Sequence, residues 1–169
     1  MTSAIMVADT SVLINFLRID RMDLLARYPR RLLTTDHVGA EIAEAYPEQQ
    51  ARYAAALAAG HMDVCSVTDS DELTLFLRLS PGVRLGKGEC SAIAVAMKRR
   101  HALAIDDNKA VKRAISEVGM KVEIIRTTDL MVALIKAGDL ELTEADTIKA
   151  DWEKNHRFRI KAKSFSEFL

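Results

Sequence analysis

Apolar residues along this chain follow two rhythms. Short, nearly unbroken apolar runs read as strands: AIMVAD (4–9), RLLTT (31–35), MDVCSV (62–67), ALAID (102–106) and VEIIR (122–126). Between them lie stretches whose apolar residues recur every three or four positions, the mark of an amphipathic helix: SVLINFLR, DHVGAEIAEAY, EQQARYAAALAAG, SDELTLFLRLS, ECSAIAVAMKRR, NKAVKRAISEVG and TTDLMVALIKAG. Thr35 or Asp36 is placed to cap the second of these helices, Ser70 and Asp71 stand near the start of the fourth, Gly60 ends the third, and Pro81 with Gly82 opens a loop. Strand followed by helix, repeated five times, predicts a parallel sheet with helices on both faces, because parallel neighbours need long crossovers and the helix is the usual one.

The pattern changes after residue 138. LTEADTIKADWEKN reads as a polar amphipathic helix that Thr143 is placed to cap, and RFRIKAK (157–163) alternates basic and apolar with period two, as an extended segment would. The expected organisation is an α/β domain over 1–138 with a C-terminal extension, 139–169, packed on the same domain. Composition supports a folded chain: of 169 residues, 49% are hydrophobic and 28% charged, far from the corner where chains stay disordered. Basic and acidic residues balance at 24 each, so any binding of nucleic acid must rest on local patches. Cys65 and Cys90 lack metal-ligand spacing, no secretory signal or long apolar span is evident, and a cytoplasmic protein is expected.

Ligands of open parallel sheets bind outside the carboxyl ends of the strands. Asp9 ends the first run and Asp106 and Asp107 end the fourth; Glu41 lies early in the helix after RLLTT, and Glu89 follows the glycines of GKG (86–88). Each acid has a plainer reading. Asp9, Glu89 and Asp107 suit helix N-termini, where the dipole favours an acid by about 0.3–1 kcal/mol, and Glu41 suits an exposed helix face. Together at one edge they would repel one another unless a cation neutralised them, and an oxygen-only cluster suits Mg²⁺ or Mn²⁺. The chemistry such a site serves is phosphodiester hydrolysis.

The stretches VADTSVLINFL, DHVGAEI, RLGKGECSAIAVAM and LAIDDNKAVKRA, in this order and spacing, resemble the motifs of the PIN-domain superfamily of metal-dependent ribonucleases. The resemblance covers about residues 4–130, and the tail from Glu144 is similar to the end of bacterial and archaeal PIN proteins that carry a G-x-G-E motif. It implies a Rossmann-like three-layer sandwich, a Mg²⁺ or Mn²⁺ site, and RNA cleavage as by the toxins of type II toxin–antitoxin pairs, with an antitoxin protein and a second copy of the chain as candidate partners. Carried over by position, Asp9, Glu41, Glu89 and Asp107 are the catalytic acids, Asp106 is the alternative to Asp107 as a metal ligand beside Asp9 and Glu89, and Ser11 supports them. Cys90 and Ser91 depart from the pattern, standing where many relatives place a further acid, which leaves the number of ions open.

Other features stay with simpler readings. GKG is no P-loop, since the required four-residue spacing and the Ser/Thr are missing, although Lys87 is a candidate phosphate contact. His37, His61, His101 and His156 stand singly and receive no role. KRRH (98–101) reads as a solvated face, and the tail cations Arg157, Arg159, Lys161 and Lys163 are candidate RNA contacts. Two rival functions stand against the ribonuclease: a PIN-like RNA-binding adaptor with weakened turnover, and a phosphoacceptor or dehalogenase-like phosphatase. The last is disfavoured because Ser11 stands where a dehalogenase-like site needs a second Asp, and the DD pair follows the fourth predicted strand rather than the first.

Overall fold

The computed structural model describes residues 4–80 and 85–169; the loop expected at Pro81 and Gly82 lies outside them. Five strands, β1 (Ile5–Ala8), β2 (Arg31–Thr35), β3 (Asp63–Cys65), β4 (Ala102–Ala104) and β5 (Ile124–Ile125), form one all-parallel sheet in the order β3-β2-β1-β4-β5. Helices cover both faces, which makes a Rossmann-like three-layer α/β fold.

The period-two alternation of the central strands sorts side chains between the layers. Met6 and Ala8 of β1 and Ala102 and Ala104 of β4 enter one core, while Val7, Leu103 and Ile105 enter the other. The first core is closed by α1 (Thr10–Arg18), α2 (Met22–Arg27), α3 (Asp36–Ala45) and α4 (Gln50–Ala58). The second is closed by α5 (Ser70–Leu79), α6 (Lys87–Arg99) and α7 (Asn108–Val118). The chain then returns to the first face through α8 (Thr127–Ala137) and α9 (Leu142–Asn155). Trp152 of α9 is fully buried there, edge-on to Phe16 and Phe158, and its Nε1 donates to the Asn15 carbonyl at 2.7 Å. Phe165, in a last 3-10 turn (Phe165–Phe168), is also buried in this core.

Several local expectations are corrected. α2 had no sequence signal, being too short to display a helical period. The Asp69 side chain caps α5 by accepting from Asp71 N, ahead of Ser70 and Asp71. α9 starts at Leu142 without a side-chain cap, which puts Thr143 inside its first turn. Thr35 rather than Asp36 caps α3, accepting from Val38 N at 3.1 Å. The tail forms no strand: Arg157 has a positive φ of 54° and the chain bends, yet the alternation survives as burial, with Ile160 inside and Arg159 and Lys161 exposed. Among the described residues no helix is long and apolar enough to cross a membrane.

Candidate active site

β1 ends one residue before Asp9, whose backbone N–H still donates to the Ala104 carbonyl of β4 at 2.9 Å. Asp9 is therefore fixed at the carboxyl edge of the sheet, and it is also the N-cap of α1. Its Oδ2 accepts from Ser11 N at 3.2 Å and from Ser11 Oγ at 2.8 Å; its Oδ1 is buried with no hydrogen-bond partner among the described residues. Capping and the site share one carboxylate, each taking an oxygen. The Ser11 hydroxyl in turn accepts from Asp106 N at 3.0 Å, which ties the ends of β1 and β4 together.

Three further acids bear on Asp9. Glu41, in the second turn of α3, faces the N-terminus of α6: a Cβ on Gly88 would overlap Glu41 Oε2, and one on Gly86 would sit 3.6 Å from it. The two glycines of GKG let α6 start this close to α3, a role distinct from any phosphate loop. Glu89, two residues into α6 from Lys87, has Oε2 buried and without a hydrogen-bond partner among the described residues. Asp107 caps α7 through Oδ1, accepting from Lys109 N at 3.0 Å and Ala110 N at 3.1 Å.

The electrostatics record the crowding. Burial raises the Asp9 carboxyl above its ordinary range against the two Ser11 bonds, with the Asp107 charge adding to the rise. Burial and then the Asp9 charge raise Glu41. Burial, followed by the charges of Asp9, Asp107 and Glu41, pushes Glu89 up to about 8. Asp9, Glu41, Glu89 and Asp107 thus act on one edge of the sheet as a mutually repelling group.

Asp106 is differently placed. Its Oδ1 accepts from Thr127 N at 2.9 Å, and its Oδ2 accepts from Thr127 Oγ1 at 2.6 Å and Asn15 Nδ2 at 3.0 Å. Both oxygens are spent on α1 and α8. Asn15 and Thr127, themselves joined at 3.1 Å, were not singled out in the sequence, where the only signal was a buried amide inside an apolar run. Cys90 and Ser91 are buried; Ser91 Oγ lies 2.6 Å from Thr35 Oγ1 and donates to the Gly88 carbonyl at 2.8 Å, so this position joins α6 to the α3 cap. Lys87 is exposed at the first residue of α6, and the four tail cations are exposed.

Among the described residues no three carboxylate, His or Cys groups are already drawn together as a chelate. The donor chemistry nonetheless fits a hard divalent cation: the donors are all oxygen, two buried carboxylate oxygens lack partners, and three of the carboxyls are held toward their protonated form. Were such an ion bound at this edge, Asp9, Glu41, Glu89 and Asp107 would be the residues to hold it, after closing on it from their present separation. No curated protein matches the chain. The sequence model of a family described as a PIN domain matches residues 5–169, nearly the whole length, and with the parallel sheet and the acids at its carboxyl edge it shows that the chain belongs to the PIN-domain family.

Proposed function

We propose that the protein is a metal-dependent endoribonuclease that hydrolyses RNA phosphodiester bonds at the edge shared by Asp9, Glu41, Glu89 and Asp107, and that it serves as the toxin of a type II toxin–antitoxin pair. PIN domains are in general nucleases that use divalent metal ions. Within that family the reading rests on one observation of this chain, the two buried and unpartnered oxygens Asp9 Oδ1 and Glu89 Oε2. Leaving buried polar atoms unpaired costs about 1–3 kcal/mol each, more when charged, and binding an ion or substrate is one reason for a fold to retain that cost at two clustered carboxylates.

A bound Mg²⁺ or Mn²⁺ supplies Lewis-acid stabilisation of the charge that develops on a phosphodiester and lowers the pKa of water. The chain's own residues do the positioning. Ser11 occupies one oxygen of Asp9 and leaves the other presented; the backbone amides of α7 do the same for Asp107; and the close approach at Gly88 aims Glu41 into the cluster. Asn15 and Thr127 hold Asp106, whose backbone carries Asp107 to the edge.

The test is incubation of the full chain with end-labelled single-stranded RNA, with Mg²⁺, with Mn²⁺ and with chelator. Internal cleavage that needs metal and disappears in Asp9→Asn is the expected outcome. RNA that binds but stays intact under every metal condition would replace the ribonuclease with the adaptor reading. The toxin role has its own assay: growth arrest on induction, relieved by co-expressing a neighbouring reading frame.

A further inference from the structure

Beside the carboxylates, on the side of β4 away from Glu41, the tail and the starts of α7 and α8 line an open surface cavity of about 360 Å³. Its walls carry three cations, Arg126, Arg159 and Lys161, and two aromatic rings, Phe158 and Phe168. Arg126 is pinned in place, its Nη1 donating to the Ile105 carbonyl at the end of β4 at 3.0 Å. Arg159 and Lys161 form no salt bridge within 4 Å of a described carboxylate, although the Arg159 charge reaches Glu153 and helps Lys149 to lower its carboxyl. Phe168 is 39% exposed although its ring lies 6.2 Å from that of buried Phe165. Asp106 forms the shared wall between this cavity and the cluster, through the strand end that also carries Asp107.

We propose that this cavity is a subsite for one nucleotide of the single-stranded RNA substrate, with its phosphate against Arg159, Lys161 and Arg126 and its base on the Phe158 and Phe168 rings. The inference rests on the ribonuclease reading and names where that substrate's flank lies. Cations beside an exposed ring form the combination that holds single strands, because phosphates take the charge and every base has a face to stack; Phe168 is the exposed ring, and Phe158 is half-buried against Trp152. An acidic peptide would satisfy the cations but leave the rings without use, and an RNA strand running to the carboxylates must pass the same edge. The tail cations divide accordingly: Arg159 and Lys161 line the cavity, whereas Arg157 and Lys163 do not.

The experiment measures binding of a fluorescein-labelled single-stranded RNA to the full chain in chelator, by anisotropy over a range of salt. Arg159→Gln/Lys161→Gln should weaken binding about tenfold at moderate salt and flatten the slope of log K against log salt by roughly 1.4, the release expected for two lost phosphate contacts at about 0.7 each. Phe168→Ala should weaken binding about fivefold with the slope unchanged, as a stacking loss does. Arg157→Gln/Lys163→Gln should lose less than a third as much as the cavity pair. Equal losses from both pairs, with no effect of Phe168→Ala, would reduce the cavity to part of a diffuse basic surface and overturn the subsite. Unchanged RNA affinity in the cavity pair, with loss of binding to a poly-glutamate peptide, would give the cavity to an acidic partner instead. Metal-dependent cleavage by the wild type is scored separately, so failure of the subsite and failure of the ribonuclease reading remain distinguishable.

Discussion

Two carboxylates of this protein are almost equally hidden and have opposite fates. Glu72 of α5 is 2% exposed and Asp9 is 1% exposed. Glu72 receives Arg99 Nε at 2.6 Å and Nη2 at 3.0 Å, together with Thr68 N at 3.3 Å, and the Arg99 bonds hold it below the ordinary carboxylate range. Among the described residues Asp9 meets no cation and leaves one oxygen unpaired, and it is raised by its burial. An acid whose charge is compensated by the chain secures structure; in the Glu72 region a two-point ion pair ties α5 to α6. An acid whose charge the chain leaves uncompensated is set for something from outside.

The sharpest way to break this contrast is to neutralise each acid in turn. Asp9→Asn should lower metal-dependent RNA cleavage at least about a hundredfold, the scale of losing a group that stabilises transition-state charge. Glu72→Gln should leave cleavage per folded molecule within about twofold, measured as initial rate on the same RNA. A hundredfold loss in the Glu72 variant would erase the distinction.

Stability should respond in the reverse order. Glu72→Ala strands Arg99, and because the arginine is partly exposed the cost is discounted to about 1–3 kcal/mol, read from the denaturation midpoint in urea. Asp9→Asn, without metal, should cost nothing or stabilise, since it removes repulsion.

Metal sharpens the comparison further. Mn²⁺ at about a hundred times its dissociation constant should stabilise the wild type by about 2.7 kcal/mol, seen as a rise in melting temperature, and the rise should shrink in Asp9→Asn while persisting in Glu72→Gln. Equal responses in all three would make Asp9 a helix cap and nothing more.

The smallest expected effect is on pH. Glu89 has a folded pKa of about 8 against an ordinary 4.5, so the folded state holds its proton longer than the unfolded state. Metal-free stability is therefore highest below about pH 4.5 with respect to this group and declines as pH rises to about 8. After allowance for solvent screening the decline attributable to Glu89 is on the order of 1 kcal/mol, and Glu89→Gln should remove it in urea titrations at several pH values.

What the sequence shows and hides follows from the range of the forces concerned. The five strands and the helices between them other than α2 were legible because periodicity is local, and the places of Asp9 and Asp107 at the carboxyl edge could be read from the strand ends. β3 and β5 proved shorter than their apolar runs, since pairing with a neighbour, invisible in one segment, decides where a ladder stops. The adjacent Asp106 and Asp107 are chemically alike in sequence. They part only because Thr127, 21 residues on, and Asn15, 91 residues back, take both oxygens of the first. The role of Gly88 was hidden for the same reason: the carboxylate it makes room for belongs to α3.

Trp152 and Phe165 complete the first core from the far end of the chain. Synthesis proceeds from the N-terminus, so the sheet and the acids at its edge emerge while the indole that supports the Asn15 carbonyl is still unmade. A nascent or prematurely ended chain is thus an open half-core exposing the faces of α1 and α8 to chaperones and proteases. Docking of α9 and Phe165 acts as the closing step of that core.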